Sequence, residues 1–331
     1  MASNENEKSK KNDDKNFDPS WLKGTSAEIL LKPTEHKKNT KKDFSHPVYK
    51  KISKINGKIN DMDEDDLVKS LNELSLDSTG KKEVLVKRLK SHYKEQNVKV
   101  EKCKFDFIGV IDFEATCTEV QTKNYPHEII EFPIVLIDMK TLTIVDCFSS
   151  YCRPIINPKL TKFCTELTGI KQEQVDIADD FKVVLEKVEH WIESRELGKK
   201  YKFGIATDGP WDMQNFLNLQ CFHSNIPYPK WAKKWIDVRK LFSNWLGVRR
   251  CNISRMLDFY EYEFEGNQHC GLDDAKNIAR ILIRLAKDGC EININDHLKK
   301  CLSTARLTDN DNSINESDES EQENQNQNDL N

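Results

Sequence analysis

The chain has 331 residues and a net charge of -4, with 32% charged residues and 37% in the apolar set. That length accommodates one full domain, a second small one and polar flanks, while the modest apolar share leaves a sizeable fraction outside any core. No run approaches the ~20 apolar residues of a membrane span, and the opening stretch lacks the apolar centre of a secretion signal, so the membrane and secreted classes are set aside.

The acidity is local. Residues 309–331 hold eight acidic residues and no basic one, so residues 1–308 carry +4. A folded part of that mild basicity permits a polyanionic partner without requiring one. The ten cysteines show no CxxC spacing, which weighs against a zinc ribbon and for reduced thiols inside a cell.

In chain order, residues 1–48 are rich in lysine and asparagine and read as a disordered tail. From 49 to 98 the pattern changes. The acids of Asp61 to Asp66 suit a helix N-terminus, and Leu67, Leu71 and Leu74 follow at helical spacing. A link over 76–80 leads to a second helix with Leu85 and Leu89 on its apolar stripe and Lys81, Lys82, Lys87, Arg88 and Lys90 on its surface. Residues 105–113, 129–137 and 143–151 read as three successive strands, the last two close enough for a hairpin. Helical patterns follow at 180–196, 211–223 and 272–287, with strands expected at 201–206 and 235–238. Antiparallel strands first, then strands alternating with helices, give an α/β class: a mixed five-stranded sheet flanked by helices. Residues 302–331 read as a second, acidic disordered tail.

Three features carry chemistry. Asp112 and Glu114 stand two apart at the end of an apolar strand, on one face by alternation. Paired carboxylates there repel one another and lose hydration, a cost that hard divalent cations relieve. An exposed strand end explains such a pair equally well. Asp212 falls in the first turn of a helix, just after a strand, and can reach back to the sheet edge; Asp208 suits a turn or cap. His269 lies in a loop before the last long helix, where Asp273 or Asp274 taken alone reads as a cap.

Taken together, an Asp-x-Glu on a strand, a helix-start Asp and a loop His five residues before another Asp resemble the DEDDh exonucleases. The flanks narrow this. Asp112-Phe113-Glu114-Ala115-Thr116-Cys117, His127 to Pro133, Leu167-Thr168-Gly169-Ile170, Thr207-Asp208-Gly209 with Trp211-Asp212, and His269 to Asp274 resemble the Eri1-type 3′-to-5′ exoribonucleases. The basic hairpin ahead looks like a SAP module, against the plainer reading of a helical hairpin with a charged face.

The resemblance implies an RNase H-like exonuclease domain over 104–300, preceded by the SAP-like module at 49–98. It implies that Asp112, Glu114, Asp212 and Asp274 hold two Mg²⁺ or Mn²⁺ ions, with His269 as general base and Glu114 sharing in catalysis. It further implies substrate contacts at Ala115, Thr116, Leu167, Trp211 and His269, and RNA contacts at Arg88, Lys81, Lys82 and Lys87. Its precedents are histone-mRNA stem-loop tails, 5.8S ribosomal RNA 3′ ends and small interfering RNA overhangs, in RNA processing and RNA-mediated silencing. They bring a stem-loop-binding protein or ribosomes as partners, a monomeric enzyme, no membrane, and a cytoplasmic and nuclear or nucleolar location. A DNA 3′-5′ exonuclease of the same chemistry and a non-catalytic RNA-binding adaptor stand as the alternatives.

Overall fold

In the computed structural model, residues 47–98, 103–120 and 125–302 are described. The tails expected at 1–48 and 302–331 lie outside the described residues, apart from 47, 48 and 302. Among the described residues no helix is long and apolar enough to cross a membrane.

Three helices come first: α1 (Pro47–Asn60), α2 (Glu64–Glu73) and α3 (Lys82–Asn97). Asp63 caps α2 by accepting the Asp66 N–H at 2.9 Å, and Glu64, Asp65 and Asp66 fill the first turn, as the acidic run foretold. Leu67, Leu71, Leu85, Leu89 and Tyr93 close a small core with Ile59 and Met62 from α1 and its exit. The sequence pattern had placed no helix over 47–60, because lysines interrupt its apolar stripe.

The larger unit contains β1 (Phe107–Val110), β2 (Glu114–Ala115), β3 (Ile129–Asp138) and β4 (Thr143–Tyr151), then α4 (Lys162–Thr168), α5 (Gln172–Asp176) and α6 (Phe181–Ser194). After β5 (Phe203–Thr207) come a widened turn at Asp212–Phe216, α7 (Leu217–His223), β6 (Lys234–Asp237), α8 (Val238–Leu246), α9 (Ile253–Phe259), α10 (Gly271–Lys287) and β7 (Asp296–His297). The sheet runs β2-β3-β1-β5-β6-β7, with β4 also paired to β3. β1 pairs antiparallel with β3 and parallel with β5, so the sheet is mixed. Five longer strands form its body, as expected, and the two-residue β2 and β7 add edges that the sequence pattern did not predict.

Side chains alternate across the sheet. Ile108, Val110, Val135 and Ile137 pack under α8, α9 and α10, while Phe132, Ile134 and Leu136 pack under α6 and α7. Ile278, Ile281, Leu282 and Leu285 bury one stripe of α10 and fix that helix against the sheet. β1 ends at Val110, so Asp112 and Glu114 do not share one continuous strand as expected. The chain leaves β3, and Ile111 N–H bonds the Ala206 carbonyl at 2.9 Å. It rejoins β3 at β2 through a register shift between Glu114 and Ala115.

Ile278→Ala removes a fully buried side chain from the α10–sheet contact. The expected loss is about 2–5 kcal/mol of stability, read from the midpoint of urea unfolding.

Candidate active site

The break after β1 turns the Asp112 and Glu114 carboxylates toward the first turn of α10. Asp112, Glu114 and Asp274 each offer an oxygen within 4.8 Å of the other two, the one such group among the described residues. Asp212 flanks them from the widened turn after β5. Its Oδ1 accepts the N–H of Phe113 at 2.9 Å, the residue between Asp112 and Glu114. A single widened turn in place of a regular helical one frequently marks a functional position. Of Asp273 and Asp274, the structure turns only Asp274 inward. Asp273, beside it in the first turn of α10, faces the preceding loop instead, accepting the Asn267 N–H at 3.1 Å and lying beside Lys276.

Crowding has an electrostatic consequence. Burial, and then the charges of Asp212, Asp274, Glu114 and Asp208, push the Asp112 carboxyl well above its ordinary range. Glu114 is raised by burial and then by Asp274, Glu131 and Asp212. Burial lifts Asp212 to about 7 against the opposing Phe113 N–H, and lifts Asp274 to about 7 against a hydrogen bond from the His269 backbone. An all-oxygen, anionic cluster of this kind fits hard divalent cations.

Several residues hold the cluster in place. Glu131, on β3 opposite Glu114, accepts the Gly271 N–H through Oε2 at 3.0 Å and the Ser149 hydroxyl through Oε1 at 3.3 Å. It thereby ties the first residue of α10 to the sheet, three residues before Asp274. A Cβ at Gly271 would stand 2.6 Å from the Asp112 carbonyl oxygen and 3.2 Å from Glu131 Oε2, so only glycine permits this approach. Asp208, buried beside Asp212, accepts from Arg239 Nε at 2.7 Å. His269 is exposed and adopts a left-handed backbone with φ 61°, a conformation that a non-glycine residue holds only at some cost. Sequence reasoning gave Glu131 no role of its own, although it lies in the stretch His127 to Pro133 that carries the resemblance, and read Arg239 as part of a basic stretch for phosphates, not as the partner of Asp208. For Glu131 the local signal was a carboxylate inside the otherwise apolar run 129–137.

The expected substrate residues are placed unevenly. Trp211 is 42% exposed, edge-on to Phe216 at 6.3 Å. Leu167 is half-buried on α4, and Ala115 is buried in β2. The polar atoms of Thr116 are engaged internally. Its N–H donates to the Glu128 carbonyl at 2.8 Å, its carbonyl accepts from His127 Nδ1 at 2.7 Å, and its hydroxyl accepts the Glu128 N–H at 3.0 Å. In the hairpin, Lys82 is exposed, Lys81 pairs with Asp258, and Lys87 lies over the Trp245 ring at 5.5 Å. Arg88 is only 5% exposed, which removes the surface contact expected of it.

A family model described as Exonuclease (RNase_T) matches residues 110–282. The 3′-5′ exoribonuclease 1 of Homo sapiens is 49% identical over 263 residues, covering 77% of this chain and 75% of that protein. The 3′-5′ exonuclease eri1 of Schizosaccharomyces pombe is 34% identical over 260 residues, covering 68% of this chain and 88% of its own. Among solved structures, a 3′-exonuclease described in the 3′-end-specific recognition of histone mRNA stem-loop shares 48% identity, with a TM-score of 0.59. That likeness covers 77% of this chain and 91% of the other. The nuclease domain of 3′hExo, a DEDDh family member bound to rAMP, shares 51% identity and a TM-score of 0.58, covering 59% of this chain and 98% of its own.

Two outcomes follow from the geometry. A carboxyl that titrates higher folded than unfolded contributes stability below its unfolded pKa of ~4, and this is lost as pH rises through the folded value of about 7. Asp274→Asn is therefore expected to stabilise the metal-free protein by roughly 1–3 kcal/mol at pH 8, with the gain vanishing near pH 4 in denaturant titrations. Gly271→Ala is expected to lower nuclease turnover by about tenfold or more, because the N-terminus of α10 must shift away from Asp112.

Proposed function

The chain belongs to the Exonuclease family, in the branch of the 3′-5′ exoribonucleases, and from that premise we infer that it shortens RNA from its 3′ end, releasing nucleoside 5′-monophosphates. The convergence of Asp112, Glu114 and Asp274 from distant parts of the chain carries this reading.

Asp112, Glu114, Asp212 and Asp274 are the groups that would hold the metal, two Mg²⁺ ions with Mn²⁺ as substitute. When bound, the ions supply an activated water, an oriented phosphodiester and a stabilised leaving 3′ oxygen. The residues around them complete the chemistry. His269, exposed on the loop before α10, takes the proton of the attacking water on its imidazole, a group suited to that exchange near neutral pH. Glu114 assists by orienting that water. Trp211 offers an exposed indole on which the terminal base stacks, a contact tolerant of sequence. Leu167 and the Ala115 backbone flank the terminal nucleotide. With Thr116 engaged internally, its part is to fix the Ala115 segment.

The hairpin of α2 and α3 serves as a SAP-like module whose exposed lysines, Lys82 first, meet phosphates of a paired stem. Substrates of this form include histone-mRNA stem-loop tails, 5.8S ribosomal RNA 3′ ends and small interfering RNA overhangs, met free or beside a stem-loop-binding protein or the ribosome. A single chain supplies every group of the site, which supports a monomer. All ten cysteines are free thiols, which supports work in the cytoplasm and the nucleus or nucleolus.

The test is RNA carrying a stem and a 3′ tail, labelled internally, incubated with purified protein. Stepwise release of nucleoside monophosphates that needs Mg²⁺ and stops with chelator is expected. Asp112→Asn should leave only background, and His269→Ala should lower kcat by about 10²–10⁴-fold. Internal cuts, metal independence, or faster attack on 3′-deoxy ends would each overturn the assignment.

A further inference from the structure

Arg88 carries a full charge but is 5% exposed. Four donated hydrogen bonds engage its guanidinium. Nε and Nη2 donate to the two carboxylate oxygens of Asp288 at 2.8 and 3.3 Å, and Nη1 donates to the carbonyls of Asp77 and Thr79 at 2.6 and 2.9 Å. A guanidinium has five N–H donors in a rigid fork, so little remains for an outside phosphate. Arg284 completes the cluster. It donates to Asp288 from Nη2 at 2.8 Å and from Nε at 3.3 Å, and its Nη1 pairs with Asp77. Two cations and two anions thus balance one another, all but Asp77 nearly removed from water.

The cluster joins two parts of the molecule. Asp77 and Arg88 belong to the hairpin; Arg284 and Asp288 lie at the end of α10, whose first turn carries Asp274. Arg284 follows Asp274 by ten residues, about 15 Å along the helix axis. Further ties keep the hairpin in one pose. The Lys81 N–H donates to the Phe259 carbonyl at 3.0 Å, the Gly80 N–H to Glu261 at 3.2 Å, and Lys94 to Glu291 at 3.1 Å. Val84 of α3 packs into the main core beside Leu257 and Tyr260. The bidentate Arg88–Asp288 pair is the innermost of these ties, and breaking one member of a buried pair leaves the other charge uncompensated.

We propose that Asp77, Arg88, Arg284 and Asp288 form a clasp that sets substrate preference: it holds the basic face of α3 at a fixed position relative to the catalytic helix, with Arg88 as a positioning residue. The proposal rests on the reading that the hairpin's exposed lysines bind paired RNA. An RNA engaging both surfaces gains from the second attachment only if their spacing is fixed in advance, because a loose hairpin dilutes the effective concentration of one site relative to the other. Unpaired RNA that meets only the carboxylate site gains nothing from the clasp.

The experiment compares kcat/KM on a stem with a 3′ tail against unpaired RNA of the same 3′ sequence, in full-length protein. Asp288→Asn is the informative variant, because a buried acid contributes no RNA contact of its own. The expected result is a fall of roughly tenfold in the stem preference, with activity on unpaired RNA within about twofold of the parent. Lys82→Glu, at the exposed face, tests the underlying reading and should lower the same ratio. An unchanged ratio in Asp288→Asn alongside a lowered one in Lys82→Glu overturns the clasp but keeps the RNA-binding hairpin. Unchanged ratios in both overturn the two together. Equal losses on both RNAs in Asp288→Asn reduce the cluster to a folding role and overturn the proposal. The urea unfolding midpoint of each variant is measured beside the ratios, so that weakened folding is read separately from a lost stem preference; a lowered ratio in Asp288→Asn at an unfolding midpoint near that of the parent supports the clasp.

Discussion

The structure depends on a repulsion that the fold itself cannot relieve. Asp112, Glu114 and Asp274 are brought together at one end of the sheet with Asp212 beside them, where burial strips their hydration and neighbouring carboxylates push Asp112 and Glu114 higher still. Nothing in packing favours that gathering, and a stable fold tolerates it only where surrounding groups fix the geometry. Here those groups are largely backbone. The Phe113 N–H meets Asp212, the His269 N–H meets Asp274, and the Gly271 N–H meets Glu131. Arg239 donates to Asp208, a buried neighbour of Asp212, and not to the carboxylates of the cluster itself among the hydrogen bonds described. The remaining negative charge is left for a cation brought from solution.

Much of this was legible from residue order. Strand alternation and apolar stripes placed the five main strands and the helices at 181–194 and 271–287, because both are periodic signals that burial enforces. The acids and His269 stood out by spacing and by resemblance. What stayed hidden was set by contacts distant in sequence. The break between β1 and β2 follows from Ile111 turning to Ala206 and Phe113 to Asp212, 95 and 99 residues away. Between Asp273 and Asp274, only the pose of α10 on the sheet decides which one faces the cluster. Arg88 misled for the same reason. In a run of lysines on an amphipathic helix it reads as surface, and nothing local announces Asp288, two hundred residues away.

α10 is where these threads meet. Its first turn carries Asp274 against the sheet, its middle buries Ile278, Ile281 and Leu282, and its end, with Asp288, receives the hairpin through Arg88. One rigid helix therefore links the carboxylate cluster to the basic hairpin. Glu131 and Gly271 fix one end and the buried ion pairs fix the other. The family chemistry needs only the first end; the second is where the proposed clasp acts.

The most direct measurement of the central claim is calorimetric titration of Mg²⁺ into metal-free protein near pH 6.5, in two buffers of different ionisation enthalpy. If the carboxylates are crowded as described, binding expels protons held at Asp212 and Asp274, and the apparent heat shifts with the buffer. Heats that are identical in the two buffers, or a proton release that persists undiminished in Asp274→Asn, would contradict it.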